Sequence, residues 1–266
     1  ALFCDSKFNK KKYDKFENYY LGPNYCDDDV ELALNKNKNI LLDYEINKID
    51  NYDTINDIVT DIISKKGVVA WFQDSSEWGP RALGNRSILV DCREPDIKDI
   101  LNKKIKLREK FRPFAASVLE DGVSDFFVVN DKKDKFPNMN FVLKAKEITQ
   151  KTYPSIVHVD GSSRIQSVNI KSNKKFYDLL KKFKDKFSCP MLLNTSMNID
   201  EPICESPTDV INSFANTKID CIVMQKFVLK KKNYLKAQSG KSLYLNSKMY
   251  PSYFSLVLLN GFLEPF

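Results

Sequence analysis

The sequence predicts a mixed α/β (α+β) fold, in which a mixed β-sheet is flanked by helices. Short apolar runs, typical of buried strands, alternate with longer segments in which apolar residues recur at helical spacing. Hydrophobic residues make up 42% of the 266-residue chain, which is enough to fill a core. Eight glycines and eleven prolines are too few for a collagen-like or low-complexity chain.

The first part of the chain contains two predicted helices. Asp27–Asp29 provides negative charge at the start of a helical pattern that continues to Leu34, where it favours a helix N-terminus. Residues 47–53 are polar and are interpreted as linker-like. Isoleucine and valine residues then recur at helical spacing from Ile55 to Ile63, and Gly67 ends that helix.

The next segments predict the sheet. Residues 68–72 and 87–90 are apolar runs that suit buried strands, and Pro95 opens a helix whose apolar face includes Leu101. The remaining predicted strands are residues 115–119, 141–144, 155–159, 165–169, 191–193 and 221–224, and the remaining predicted helices are residues 174–187 and 208–215.

Charge and cysteine usage constrain partners and location. The 42 Lys and Arg residues outnumber the 35 Asp and Glu residues, a net charge of +7 that favours anionic ligands such as nucleotides or phosphates. The excess is too diffuse to predict a nucleic-acid partner. Six scattered cysteines without a CxxC pair predict reduced thiols in a cytoplasmic protein, and a single histidine argues against a zinc site. No apolar run is long enough to span a membrane.

Residues 77–87, with the sequence EWGPRALGNRS, form the densest cluster of candidate binding residues. Its glycines permit tight turns, and Arg81 and Arg86 carry the planar guanidinium that binds phosphate or carboxylate through two hydrogen bonds. The alternative is a Gly/Pro turn with surface arginines.

Residues 102–114 form a second cluster, in which Lys106, Arg108 and Arg112 fall where a helix is predicted to end. Favourable interaction with the helix dipole explains such cations without any ligand. Arg112, however, lies between two phenylalanines, and a partly buried arginine requires an anionic partner.

Two further segments pair a predicted strand with polar residues. Residues 158–166 read as a strand, a glycine turn and a strand, with Arg164 as another candidate clamp for phosphate or carboxylate and His158 more typical of a structural residue. Residues 192–198, LLNTSMN, run from an apolar strand into a polar loop that either binds a nucleotide or is an ordinary turn. The chain has no GxxxxGK[ST] and no GxGxxG motif.

These four segments closely resemble, in order and approximate spacing, the C-terminal half of nodulation-type and antibiotic-type O-carbamoyltransferases. The match spans about residues 67–226 and includes EWGPRALGNRSIL, NKKIKLREKFRPFAASVLE and PMLLNTSMNIDEP. The resemblance implies a YrdC-like twisted mixed sheet with flanking helices. In this family the C-terminal domain forms carbamoyl-adenylate from carbamoyl phosphate and ATP, releasing phosphate and pyrophosphate. An N-terminal domain that binds iron through histidines then transfers the carbamoyl group to a hydroxyl.

The resemblance also implies a domain division and a set of partners. Residues 1–52 correspond to a remnant or linker of the N-terminal carbamoyltransferase domain, residues 53–230 to the YrdC-like domain and residues 231–266 to an extension. ATP, with Mg²⁺, and carbamoyl phosphate are the implied substrates, and the N-terminal domain is a partner in cis or in trans. Iron is expected only in that domain, because this chain has a single histidine.

The resemblance assigns roles to the candidate residues. Lys106-Leu107-Arg108 resembles the KxR motif of YrdC-type proteins, so Lys106, Arg108 and Arg112 are expected to act catalytically as phosphate and carbamoyl clamps. Glu77 and Glu109 are expected to orient arginines, and His158 and Asp160 to brace the turn that aims Arg164. The residues expected to bind the nucleotide are Arg81, Asn85, Arg86, Ser87, Arg164, Asn194, Thr195, Ser196 and Asn198, with no metal ligand among them.

Two alternatives remain open at the level of the sequence. One is a YrdC-like enzyme that forms threonylcarbamoyl-adenylate for tRNA modification; the other is a degenerate domain that binds ATP or a partner without turnover. The lack of most of the N-terminal half and the unusual sequence of residues 231–266 keep the second alternative open. The carbamoyl-adenylate hypothesis requires the cations of the four segments to share one cavity.

Overall fold

A computed structural model describes residues 7–9, 19–131 and 133–232, which contain one nine-stranded β-sheet. The strands are β1 (Tyr44–Lys48), β2 (Val69–Phe72), β3 (Arg86–Val90), β4 (Ala115–Leu119), β5 (Phe141–Lys144), β6 (Ser162–Val168), β7 (Met191–Ser196), β8 (Cys221–Met224) and β9 (Phe227–Lys231). The α-helices are α1 (Asp27–Lys36), α2 (Tyr52–Ser64), α3 (Ile97–Lys104), α4 (Val123–Phe126), α5 (Glu147–Thr152), α6 (Lys174–Phe187) and α7 (Pro207–Phe214).

The sheet is mixed, with the strand order β1-β9-β8-β2-β3-β7-β4-β6-β5. Two neighbouring pairs, β2 with β8 and β4 with β6, are parallel, and the other pairs are antiparallel. Several strands that are neighbours in the sheet, such as β3 and β7, are therefore distant in the sequence. This arrangement confirms the predicted α/β class with a mixed sheet and flanking helices.

Helix α6 shows how the sequence pattern positions an element against the sheet. Its buried residues, Phe176, Leu179, Leu180 and Phe183, recur at helical spacing, and lysines occupy much of the opposite face. The Asn173 side chain caps the helix by accepting a hydrogen bond from the Phe176 amide. The apolar face packs against β4 and β7, and α2 packs beside α6.

Gly84, just before β3, is constrained by its contact with α6. Its φ is +108°, and a Cβ atom at this position would lie 2.2 Å from the Phe176 ring. We therefore expect Gly84→Ala to destabilise the fold by about 3 kcal/mol, because backbone strain and overpacking add. Gly79→Ala is the matched control, since Gly79 has the same φ but an added Cβ atom would have no neighbouring atom within 4 Å. Urea denaturation of both variants measures the difference; equal losses would show that strain alone dominates.

Several strand and helix predictions are confirmed, including 115–119, 141–144 and 174–187. The predicted strand at residues 155–159 is wrong. Pro154–Ile156 forms a 3₁₀ turn, and Val159 lies fully exposed in the turn before β6. Proline lacks the N–H that a strand ladder requires, so the ladder starts only at Ser162.

The described residues before position 53 include one strand of the same sheet. β1 pairs with β9 from Tyr44↔Lys231 to Lys48↔Phe227, within a stretch that includes part of the predicted linker. The proposed division at residue 53 stays a prediction. Of the proposed extension 231–266, residues 233–266 lie outside the described residues. Within the described ranges, no helix combines the length and apolar character that a membrane crossing requires.

Candidate functional site

A buried polar network occupies one face of the sheet where β7, β4 and β6 lie side by side. The Ser117 hydroxyl donates to Gln166 Oε1 at 2.7 Å, and Asn194 Nδ2 donates to the Ser117 Oγ at 2.9 Å. The Gln166 amide donates to the Leu83 carbonyl at 2.7 Å. These bonds fasten the loop before β3 onto the sheet, because buried polar groups require partners.

Glu77 shapes that loop. Its Oε1 accepts hydrogen bonds from the backbone amides of Leu83 and Asn85, both at 2.7 Å, and of Arg86 at 3.1 Å. The expectation that Glu77 orients an arginine side chain is therefore wrong: its hydrogen bonds go to backbone amides. The loop that it folds presents Arg81 beside the polar network.

A small cavity of about 70 Å³, open at its mouth, lies between this loop and the sheet. Three guanidinium groups reach it from separate segments, those of Arg81, Arg108 and Arg164. No aspartate or glutamate is among its lining residues in the described part of the chain. The other lining residues are Pro80, Ala82, Pro113, Phe114, Met139, Asn194, Thr195 and Ser196.

The charges in this cavity are incompletely compensated. Burial, together with repulsion from Arg81 and Arg108, lowers the pKa of Arg164 to about 10. Burial also lowers the pKa of Arg108, with repulsion from Arg112 as the next cause. Clustered guanidinium groups without a carboxylate favour a polyanionic ligand that carries the missing negative charge.

Arg108 is held in place by contacts with Asn102 and Phe114. Its Nε donates to Asn102 Oδ1 at 2.7 Å, and its guanidinium carbon lies 4.7 Å from the centre of the Phe114 ring. The two Asn102 amide hydrogens bind the carbonyls of Lys110 and Arg112. Asn102 is itself held by these two carbonyls, and it therefore fixes the orientation of the Arg108 side chain.

Lys106 does not line the cavity but organises the loop that does. Its buried ammonium donates to Ser196 O at 2.5 Å, Ser196 Oγ at 3.2 Å, Asn198 O at 2.7 Å and Asn198 Oδ1 at 2.8 Å. Burial lowers the pKa of Lys106 to about 7, and repulsion from Arg108 contributes. The two residues of the KxR motif therefore have different roles: Lys106 holds the end of β7, and Arg108 faces the cavity.

Arg86 lies outside this cavity and is fully buried. Its guanidinium donates to the carbonyls of Gln73, Asp74, Asn85, Glu205 and Pro23 and stacks 3.6 Å above the Phe72 ring. Asn85 and Ser87 are likewise engaged within the protein, with Asn173 and with the Gly84 amide. These three predicted nucleotide-binding residues hold the loop together here.

Arg112 is less buried than the two neighbouring phenylalanines predicted. Its side chain is 53% exposed and its Nε lies 3.0 Å from Glu109 Oε2, so the expectation of a partly buried arginine is wrong. Phe111 is also exposed, and only Phe114 is buried. Glu109 does pair with an arginine, as predicted.

The turn before β6 has the bracing role that the sequence indicated. Asp160 Oδ1 accepts from the Ser162 amide at 2.9 Å and from the Ser162 hydroxyl at 2.6 Å. The same hydroxyl lies 3.2 Å from His158 Nδ1. Burial lowers the pKa of His158. The turn fixes the start of β6, from which Arg164 projects.

Two cysteines that are far apart in the sequence lie close together in the structure, and both are free thiols. Cys92 and Cys189 are buried, with their Sγ atoms 3.9 Å apart, and a carboxylate oxygen of Asp91 is within 4.8 Å of both. The Asp91 carboxylate binds Arg93 through both oxygens. This cluster is the single group of potential metal ligands in the described ranges.

Sequence reasoning missed the residues that support the site. Asn102, Ser117 and Gln166 each orient a cavity residue or its loop. Ser117 and Gln166 could have been found, because each is a polar residue inside a predicted buried strand and a buried polar group needs a partner. Asn102 had no comparable signal.

The carbamoyltransferase C-terminus family model matches residues 60–231. The chain belongs to this family. The match includes every residue that lines the cavity and both halves of the KxR pair. The resemblance stated from the four sequence segments is thereby confirmed.

Curated relatives include two nodulation proteins. The chain is 39% identical to nodulation protein NolO of Bradyrhizobium diazoefficiens over 235 residues, 87% of this chain and 42% of NolO. It is 39% identical to nodulation protein NolNO of Sinorhizobium fredii over 186 residues, 70% of this chain and 27% of NolNO. The chain thus spans less than half the length of these two relatives.

Two solved structures are similar to part of this chain at low sequence identity. Full-length HypF in its phosphate- and nucleotide-bound form has a TM-score of 0.48 and 14% identity, covering 68% of this chain and 22% of HypF. Sua5 of P. abyssi, complexed with L-threonine, has a TM-score of 0.48 and 14% identity, covering 66% of this chain and 48% of Sua5.

Proposed function

We propose that this chain forms carbamoyl-adenylate from carbamoyl phosphate and ATP as the C-terminal part of an O-carbamoyltransferase. The observation that carries the proposal is the convergence of Arg81, Arg108 and Arg164 on one cavity without a lining carboxylate, within a carbamoyltransferase-family domain. Both substrates are polyanions, and the charge of such a cavity suits them.

The chemistry balances with one water molecule. Hydrolysis of carbamoyl phosphate breaks the bond between the carbamoyl unit and phosphate, giving carbamate and phosphate. A carbamate oxygen then attacks the α-phosphorus of ATP, and the bond to pyrophosphate breaks. The net reaction converts carbamoyl phosphate, ATP and water into carbamoyl-adenylate, phosphate and pyrophosphate. Each step concentrates negative charge on phosphoryl oxygens, which positioned guanidinium groups stabilise without a side-chain nucleophile.

The residues in and next to the cavity have different roles in this reaction, according to their positions. Arg81, Arg108 and Arg164 bind phosphoryl and carboxylate-like oxygens, while Thr195 and Ser196 offer hydroxyls at the end of β7. Lys106 donates hydrogen bonds to Ser196 and Asn198 and thereby stabilises the conformation of that loop. Because the lining includes no carboxylate, Mg²⁺ that accompanies ATP would be held by phosphate oxygens and water.

Transfer of the carbamoyl group to a hydroxyl acceptor belongs to the proposed N-terminal domain, supplied in cis or in trans. Iron would bind in that domain. The acceptor is therefore chosen outside this cavity.

Exchange of labelled pyrophosphate into ATP tests the proposal. We expect the purified chain to catalyse exchange that depends on carbamoyl phosphate, because formation of the adenylate is reversible. Exchange that depends instead on threonine and bicarbonate would favour a threonylcarbamoyl-adenylate enzyme for tRNA modification. ATP binding without exchange under either condition would contradict adenylate formation and favour a degenerate domain.

A further inference from the structure

Two buried cysteines lie together at one end of the sheet, and neither lines the arginine-rich cavity. Cys92 follows β3, and Cys189 lies in the short link between α6 and β7. β3 and β7 are antiparallel neighbours, with Val90 opposite Leu193, so both links leave the sheet at the same end. Because 97 positions separate the two cysteines, their proximity has no signature in the sequence, which by itself argued against a zinc site.

The spacing of these atoms is that of ligands around one tetrahedral ion. The two Sγ atoms are 3.9 Å apart. Two thiolates at about 2.3 Å from a tetrahedral Zn²⁺ are about 3.8 Å apart, and a thiolate and an oxygen ligand are about 3.6 Å apart. The Met191 carbonyl oxygen lies 3.5 Å from Cys92 Sγ and 3.1 Å from Cys189 Sγ. The three atoms are therefore spaced as three ligands of one ion.

Asp91 offers a fourth ligand, which is anionic. One of its carboxylate oxygens lies within 4.8 Å of both sulfur atoms, and the residue is 1% exposed. Arg93 donates to this carboxylate from its amide N–H, Nε and Nη2, which leaves about one of the four acceptor positions of the carboxylate for a metal. Such outer hydrogen bonds commonly orient a ligating carboxylate.

The charges of this cluster balance around a divalent cation. Two thiolates and the Asp91 carboxylate carry three negative charges, and Zn²⁺ with the Arg93 guanidinium supplies three positive ones. A buried group of ions is favoured when its charges are paired in this way. Sulfur ligands also exclude the hard cations Mg²⁺ and Ca²⁺, which take oxygen ligands.

We propose that Cys92, Cys189 and Asp91, together with the Met191 carbonyl, form a structural Zn²⁺ site. Each thiol releases its proton to solvent as the Zn–S bond forms, and no atom changes its oxidation state. Four protein ligands leave no open position for a substrate. The ion therefore fastens the link between α6 and β7 to the end of β3, while Ser196 of the cavity lies at the other end of β7.

Cobalt substitution tests this inference, because Co²⁺ takes the same ligands and absorbs visible light strongly when it is tetrahedral. The full chain is reduced, freed of metal with a chelator and titrated with Co²⁺. We expect a thiolate-to-cobalt charge-transfer band that saturates at one Co²⁺ per chain and disappears when Zn²⁺ is added. Zn²⁺ at about a hundredfold excess over its Kd should raise the midpoint of thermal unfolding by about 5 °C or more. Absence of the band in the unmodified chain would overturn the inference, even where a variant does not fold.

Serine variants assign the band to these cysteines. Cys92→Ser and Cys189→Ser should each weaken Co²⁺ binding by at least about 100-fold, since the loss of even an outer-shell partner costs about 10- to 100-fold. Cys221→Ser is the matched control, because Cys221 is also a buried free cysteine but lies on β8, outside the cluster. It should keep the band and the affinity. A band that persists in both cluster variants, or that Cys221→Ser removes, would place the cobalt on other thiols and contradict the proposed site.

Discussion

Arg108→Ala is expected to lower carbamoyl-phosphate-dependent pyrophosphate exchange by about 100-fold, equivalent to about 2.7 kcal/mol of transition-state stabilisation. Arg108 is one of three guanidinium groups at the cavity and is held there by Asn102 and Phe114. Because no carboxylate lines the cavity in the described part of the chain, Arg108 is available to pair with a bound anion there. The initial rate of label incorporation into ATP gives the measurement.

Lys110→Ala is the control for this prediction. Lys110 lies on the same segment, two residues away, but its ammonium is exposed and lies 3.4 Å from Asp99. Its removal changes the net charge equally and should change exchange by less than about threefold, since surface ion pairs contribute little. Equal rates for the two variants would show that Arg108 does not touch the reacting groups.

Arg86→Lys is expected to destabilise the fold by about 3 kcal/mol, although it conserves charge. The Arg86 fork donates to carbonyls in four segments of the chain and stacks on Phe72. A lysine ammonium has three donors and no planar fork, so it leaves buried carbonyls unpaired. Urea denaturation measures the change in the free energy of unfolding.

Arg112→Lys controls for the substitution itself. Because the Arg112 side chain is exposed, its replacement should alter the free energy of unfolding by less than about 0.5 kcal/mol. An Arg86→Lys protein as stable as this control would show that the carbonyl contacts of Arg86 contribute little.

Local sequence patterns predicted the elements that bury one strong apolar face. The strand 115–119 and the helix 174–187 agree with their predicted bounds, because side-chain burial alone decides them. β1 was missed because its sequence, YEINK, buries only Tyr44 and is held in the sheet by backbone bonds to β9. Pairing with a strand that is distant in the sequence produces no recognisable local pattern in a mostly polar segment.

The candidate site was predictable in its chemistry more than in its geometry. Arg81, Arg108 and Arg164 were selected because arginine suits phosphate, and they do share a cavity. Arg86 was selected for the same reason, but its guanidinium is buried and donates to backbone carbonyls of the protein. Whether an arginine reaches the cavity depends on the strand order β3-β7-β4-β6, which brings residues from four segments together. No single segment of the sequence encodes that order.

Residues 19–25 have a consequence for protein engineering. Backbone bonds join this strip to the loop before β3, including Trp78 N to Tyr19 O at 2.6 Å and Gly22 N to Ser76 O at 3.0 Å, and the Tyr20 hydroxyl donates to the Leu83 carbonyl at 2.9 Å. A chimera that transplants only residues 53–230 would leave those loop groups facing water. The portable unit for exchange between related enzymes therefore includes the strip that begins at Tyr19.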